Sequence, residues 1–357
     1  MTKNYNFSIA GHPSIYEERP SERQLKIEFS TPDVVNKNTG IMILVPGFGA
    51  HIDSNVYKKM RDLFADTYNL VVLQVEYFGS SFMQNSHEIE GIKLDFLTED
   101  ELVQINTGQV KLFELVATKS IKIRTNAKLD ESLSDFNDMG YMQAIDIITA
   151  IEAVKLILED NKVTYDKSKV IGYGHSHGAY LLHLVNTIEP DLLSLLVDNS
   201  SWLVPGYLTA ERDLYKQLGQ AVIHIKYKYL AQDFFRYKEI HDLSKMYLNH
   251  INNCKIIAFQ GDSDPLVNHL KKQEWLASID HTTYFQIGKG EIDNKIFFSN
   301  GHGLDADFIL LFEKAMHISD ATPPVIPALD HQKKYRNSSL IYLKTDGLPK
   351  YKFNHDQ

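Results

Sequence analysis

Gly174-His175-Ser176-His177-Gly178 stands between an apolar run and an apolar helical pattern, and few folds accommodate that arrangement. Lys169-Val170-Ile171-Gly172-Tyr173 reads as a buried strand, and Ala179-Tyr180-Leu181-Leu182-His183-Leu184-Val185 as a buried helix. Between them the chain must turn sharply, and glycines two before and two after the serine let neighbouring backbone pass close. A serine at the apex of such a turn sits in a strained conformation with its hydroxyl lifted clear of the sheet. The helix that starts beside it aims unpaired N–H groups at the same place, which makes the His177 amide a candidate to bind a developing oxyanion.

A serine hydroxyl is a poor nucleophile at neutral pH, so this turn calls for a histidine base and an acid to orient it, in chain order serine, acid, histidine. Asp264, in Gly261-Asp262-Ser263-Asp264-Pro265-Leu266-Val267, falls on a loop at a strand's carboxyl end, where sites gather in open α/β sheets. Asp262 follows the turn glycine and reads as turn chemistry, so Asp264 is the expected acid. His302, between Gly301 and Gly303 just before the last helical pattern, is the expected base; the choice among 15 histidines rests on position and flanking glycines. His175 and His177 flank the serine, but their side chains should diverge around a tight turn without an accompanying carboxylate or cysteine cluster, and no metal is expected. Pro46-Gly47-Phe48-Gly49 follows a buried strand and is the expected source of a second oxyanion donor, Phe48 first and Gly49 second. Gly47, Tyr77, His175 and Trp202 are expected to line the substrate site, with Ser80-Ser81 nearby.

Strand-like and helix-like segments alternate, which predicts an α/β fold with a mostly parallel central sheet and helices on both faces. Arg23–Phe29 alternates like an edge strand, whereas Ile41–Val45 is a continuous apolar run of a doubly covered strand and Leu70–Val75 reads as a second buried strand. A helix with Tyr57, Met60, Leu63 and Phe64 on one face joins those two runs, and a long helix over Tyr141–Leu158 precedes the serine turn. Further strands are expected at Leu192–Val197, Lys255–Gln260 and Thr282–Ile287, and helices at Leu266–Ile279 and Leu304–Met316. The core thus covers 1–201 and 254–320. Residues 80–135 read as a surface insertion without a strand pattern, 202–253 as a helical cap, and 321–357 as a C-terminal extension of unassigned structure.

Charged residues make up 23% and apolar ones 43% of the 357 residues, a composition able to bury a large core. A net charge of -9 without a long basic run argues against a nucleic-acid partner. The single cysteine, Cys254, excludes an internal disulfide and reads as core. No apolar leader follows Met1 and no run of about 18 apolar residues exists, so no membrane span and a cytoplasmic location are expected. Asn199-Ser200-Ser201 and Asn337-Ser338-Ser339 match the glycosylation sequon but carry no weight without a secretory signal.

Taken together, the serine turn, Gly261-x-x-Asp264-x-x-Val267 and Gly301-His302-Gly303 resemble the α/β-hydrolase superfamily over residues 40 to 317. More narrowly, the wording around the serine is similar to a family of ε-proteobacterial hydrolase-like proteins encoded among genes for surface-glycan or flagellin modification. The resemblance implies a cofactor-free Ser176-His302-Asp264 mechanism, with Phe48 and His177 amides holding the oxyanion, on a small-molecule or glycan ester. The early loop lacks the HGGG run of one large esterase group, so that group's specificity does not carry over. The expected activity is carboxylester hydrolysis, in the finer reading deacylation of a sugar or glycoconjugate. Tyr207, Tyr215, Tyr227, Tyr229, Tyr237 and Tyr247 in the cap suit a polar, planar ligand, though tyrosines at helical spacing also serve as packing. The alternatives are an acyltransferase with the same residues and a non-catalytic binding protein that keeps the fold. A prolyl-oligopeptidase-like peptidase is disfavoured because residues 1–40 cannot hold a propeller.

Overall fold

The computed structural model describes residues 2–17, 22–84, 88–319, 340–343 and 347–353. In chain order, β1 (Lys3–Ala10), β2 (Gln24–Thr31), β3 (Gly40–Val45), α1 (Asn55–Tyr68) and β4 (Leu70–Glu76) lead into a first inserted region. That region carries β5 (Glu88–Glu90), α2 (Glu99–Asn106), α3 (Leu112–Ala117) and β6 (Lys122–Lys128). The core resumes with α4 (Tyr141–Asp160), β7 (Val170–His175), α5 (His177–Ile188) and β8 (Leu195–Asn199). A second inserted region holds β9 (Arg212–Leu218), β10 (Ala221–Tyr227), α6 (Leu230–Phe234) and α7 (Leu243–Met246). The core closes with β11 (Lys255–Gly261), α8 (His269–Ala277), β12 (Thr282–Ile287) and α9 (Phe308–Ser319), followed by the pair β13 (Leu340–Leu343) and β14 (Lys350–Phe353).

Eight strands form the central sheet in the order β1-β2-β4-β3-β7-β8-β11-β12. Pairing is parallel from β4 through β12 and antiparallel at β1–β2 and β2–β4. Side-chain alternation decides what packs on each face. Ile41, Ile43 and Val45 of β3 join one buried cluster with residues of α4 and α5, whereas Met42 and Leu44 join another with residues of α1 and α9. Each strand interior is covered twice, which is why β3 reads as an unbroken apolar run and β4 as one interrupted only by Gln74 before its end. Every fully covered leucine or isoleucine contributes about 1.5–3 kcal/mol. The segment expected at the edge, Arg23–Phe29, lies inside the sheet, because Lys3–Ala10 pairs along its outer side. The strand expected at Leu192–Val197 begins three residues later, and the last helix starts at Phe308 after a tight turn over His302–Asp305.

Residues 202–253 depart from the helical cap expected of them, and 80–135 from a strandless decoration. The two segments share a second sheet, in the order β5-β6-β10-β9. Within it β10 runs parallel to β6, with Ile223 opposite Ile123, and antiparallel to β9 around Gly219, whose φ is 58°. A parallel partner from a distant segment supplies the hydrogen bonds that neither insertion provides alone. The C-terminal extension is tied to the core where described: the Tyr351 amide donates to His12 Nε2 at 2.8 Å and its hydroxyl to Glu189 Oε1 at 2.5 Å. Its proline-rich part and Asn337-Ser338-Ser339 lie outside the described residues. Asn199, Ser200 and Ser201 are fully buried, so that sequon offers no accessible acceptor, and Cys254 is buried with a free thiol. Among the described residues no helix is long and apolar enough to cross a membrane.

Candidate active site

β7 delivers Ser176 at its carboxyl end, and α5 departs immediately after it. The turn forces Ser176 to φ 53° and ψ -117°, a region that L-residues enter only under constraint. The flanking glycines make it possible. A Cβ on Gly174 would lie 2.4 Å from Ala179 Cα, and one on Gly178 would lie 2.1 Å from the Val45 carbonyl oxygen. Gly178→Ala is therefore expected to push β3 away from α5, destabilising the chain by at least the upper end of the about 1–3 kcal/mol typical of overpacking. A thermal melt of the variant within 1 °C of wild type would contradict this close packing.

The Ser176 amide donates to the Asn199 carbonyl at 2.7 Å, which pins the serine to the end of β8. Its hydroxyl donates to His302 Nε2 at 2.6 Å, and His302 Nδ1 donates in turn to Asp264 Oδ2 at 2.7 Å. The side chain of Asp264 is fully buried and that of His302 is 18% exposed, so the imidazole keeps an open side while its partner is sealed. Asp264 Oδ1 accepts the amides of Leu266 at 2.8 Å and Val267 at 3.1 Å, and Oδ2 also accepts Gln260 Nε2 at 2.7 Å. Burial alone would raise this carboxyl, but the bond and charge of His302, with these donors, hold it below the usual carboxylate range. Asp262 faces elsewhere, accepting from Asn300 Nδ2 at 2.7 Å and from Ser263 Oγ at 3.1 Å. After His302 the backbone passes through positive φ at Gly303, Leu304 and Asp305, and the Gly303 amide is anchored on Ser200 Oγ at 3.1 Å.

The two histidines beside the serine point apart. His175 packs between Gly47, Gly303 and the Phe308 ring, its own ring 6.3 Å from that of His302. Burial, then the neighbouring His302, lowers its pKa to about 4. His177 Nε2 donates to Gln143 Oε1 at 2.7 Å, the amide oxygen fixing that tautomer. Burial lowers the His177 pKa to about 3. Among the described residues no group of three metal-ligating side chains forms.

Phe48 lies beyond the end of β3, and its amide meets no acceptor among the described residues. The Gly49 amide, expected to be an alternative donor, is directed at Met83 Sδ at 3.3 Å instead. That sulfur arrives from the first inserted region, which sequence reading had no means to bring there. Gln84 Nε2 donates to the Phe48 carbonyl at 3.2 Å and holds the same loop. The Phe48 ring meets those of His177, Trp202, Tyr207 and Tyr229 at 5.1–5.9 Å, forming an aromatic wall beside the serine. Trp202, expected near the substrate, stands in this wall. Tyr77 belongs to the hydrophobic core, with its hydroxyl buried and without a partner among the described residues. Ser176 itself is 5% exposed.

Gln260, Arg212 and Lys272 escaped sequence reading. Lys272 Nζ donates to Gln260 Oε1 at 3.1 Å, fixing the amide so that its nitrogen faces Asp264. A glutamine at a strand end and a lysine on a helix give no local signal of this contact.

No curated protein matches the chain. Among solved structures, the acylaminoacyl peptidase of Pyrococcus horikoshii is similar with a TM-score of 0.50 at 12% identity, over 94% of this chain and 43% of that one. A putative dipeptidyl aminopeptidase IV from Bacteroides ovatus also gives 0.50 at 11% identity, over 89% of this chain and 35% of that one. Est1E from Butyrivibrio proteoclasticus, with ferulic acid bound, gives 0.48 at 13% identity, over 84% and 96%. The fold is that of the α/β-hydrolases. With residues 98–276 matched by its model, half of the length and a span that includes Ser176, Asp264 and the whole second inserted region, the chain belongs to the family described as "Protein of unknown function (DUF2920)".

Proposed function

We propose that this protein is a serine hydrolase acting on carboxylic esters. The observation that carries the reading is the continuous hydrogen-bonded chain from Ser176 Oγ through His302 to the sealed carboxylate of Asp264. His302 Nε2 takes the hydroxyl proton as Ser176 Oγ attacks the ester carbonyl carbon, and Asp264 holds the ring and stabilises the imidazolium that forms. The amides of Phe48 and His177 receive the oxyanion. Collapse expels the alcohol, which takes its proton from His302. Water deprotonated by the same nitrogen then releases the acid and restores the serine.

The finer reading is removal of an acyl group from a sugar or glycoconjugate, supported by aromatic rings that suit a polar, flat ligand. The enclosure of Ser176 favours a second outcome from the same acyl-enzyme, transfer to a sugar hydroxyl, and product analysis with acyl donor and sugar acceptor separates the two. A fluorophosphonate probe is expected to label folded wild type on the peptide containing Ser176, together with turnover of short-chain p-nitrophenyl esters. Neither labelling nor turnover in folded protein would leave a binding module as the better reading.

The pH dependence follows from the histidines. The base must be neutral to accept the serine proton, so kcat/KM rises with pH along an acid limb. His175 and His177, held near 4 and 3, carry no charge above about pH 5 and add no ionisation there. The acid limb of log kcat/KM is therefore expected to have unit slope. A slope of two would mean that a second histidine titrates with the base.

A further inference from the structure

β9 brings a cation to the aromatic wall. Arg212 is half-buried, its guanidinium carbon 5.0 Å from the centre of the Phe48 ring and 5.7 Å from that of Tyr207. Nη1 donates to the Met83 carbonyl at 2.9 Å and Nη2 to Gln84 Oε1 at 3.0 Å, both neutral acceptors. Strand alternation turns its acidic neighbours away. Glu211 is committed to Lys226 at 3.0 Å and Asp213 to His224 at 2.5 Å. Among the described residues Arg212 forms no salt bridge with a carboxylate, and it is the one cation placed over the Phe48 ring.

A guanidinium carries five N–H donors in a planar fork; Met83 and Gln84 take two of them, and the Tyr229 hydroxyl also interacts with the group. The ring faces attract the cation but take no hydrogen bond from the edge of its fork, which leaves donors there for an anion. A carboxylate fits: it is planar, monoanionic and matched to the fork. A phosphate dianion would call for further cations, and none touches this wall among the described residues. Resting on the ester-hydrolase reading above, we propose that Arg212 is a specificity-determining residue and that the preferred substrates are esters carrying a free carboxylate, on either the acyl or the alcohol side.

The test compares charged and neutral isosteres. For the acyl side, p-nitrophenyl hemiglutarate is set against p-nitrophenyl methyl glutarate; for the alcohol side, an O-acetylated uronic acid against its methyl ester. Wild type is expected to favour the charged member of at least one pair by about 10- to 100-fold in kcat/KM, mostly through KM, as a charged hydrogen bond would give. Because Arg212 also clasps Met83 and Gln84, Arg212→Gln should slow both members of a pair, and the ratio is the readout. It should fall toward one, while Arg212→Lys retains part of it. A wild-type ratio near one in both pairs, or a preference that survives in Arg212→Gln, overturns the proposal. Binding of monomethyl glutarate, measured by calorimetry, keeps the two readings apart. If no ester turns over, loss of that binding in Arg212→Gln upholds the anion site without the esterase, and equal binding removes the anion site.

Discussion

Ser176→Ala is expected to lower kcat for any ester the wild type cleaves by roughly 10⁴- to 10⁶-fold, with KM little changed. The hydroxyl is the only atom removed. Its anchoring amide bond to Asn199 is a backbone contact and survives, so a melting temperature close to wild type should accompany the loss. His302→Ala should cost about as much, and the double variant no more than either alone, because in the proposed mechanism serine and histidine act as a unit. Parallel kinetics on the three variants read this directly. A Ser176→Ala enzyme with more than about a tenth of wild-type turnover would remove Ser176 from the chemistry.

The residues of that unit were legible because each stands where a parallel sheet ends. Ser176, Asp264 and His302 follow β7, β11 and β12 in the chain, and glycines mark all three places. The doubly covered strands were legible for a related reason: burial on both faces demands runs that are nearly all apolar, as in Ile41–Val45 and Leu70–Leu73. The second sheet was not, because its signal is divided. In β6, Ile123, Thr125 and Ala127 alternate with Lys122, Arg124, Asn126 and Lys128, but its partners are the three-residue β5 and β10, whose paired residues stand one hundred positions away. Of the tyrosines read at helical spacing, Tyr215 and Tyr227 lie in β9 and β10 instead, and Tyr229 follows just after β10. Tyr227 and Tyr229 donate to the carbonyls of Gln84 and Met83, both at 2.7 Å, and so tie the second insertion to the first. Gly49 illustrates the same limit, since its amide is directed by a methionine from another segment.

Lys272→Met should produce the largest loss of stability. Lys272, on α8, is fully buried, and its ammonium lies 3.1 and 3.0 Å from the two oxygens of Asp198, 3.2 Å from the Ser201 carbonyl and 3.1 Å from Gln260 Oε1. Burial would raise the Asp198 carboxyl, but Lys272 and His183 outweigh it and hold the group well below the ordinary carboxylate range. Methionine keeps most of the volume and removes the charge, leaving a buried carboxylate without its cation at a cost of about 3–5 kcal/mol. The melting temperature should fall by on the order of 10 °C. Adding Asp198→Asn should recover at least half of that, because the stranded charge goes while the Ser201 amide keeps an acceptor.

The sign of the pH effect separates this account from a simple packing defect. A carboxyl depressed in the folded chain gives stability that is present above about pH 4, its ordinary range, and is lost as pH falls through its folded value. Without Lys272 that contribution is missing at neutral pH, so the gap between variant and wild type should shrink on acidification, whereas a cavity would leave it constant. Turnover at temperatures where the variant remains folded should also drop, because Gln260 loses the contact that turns its amide toward Asp264. A variant as stable as wild type at pH 7, with a gap that does not change with pH, would mean that this buried pair is dispensable.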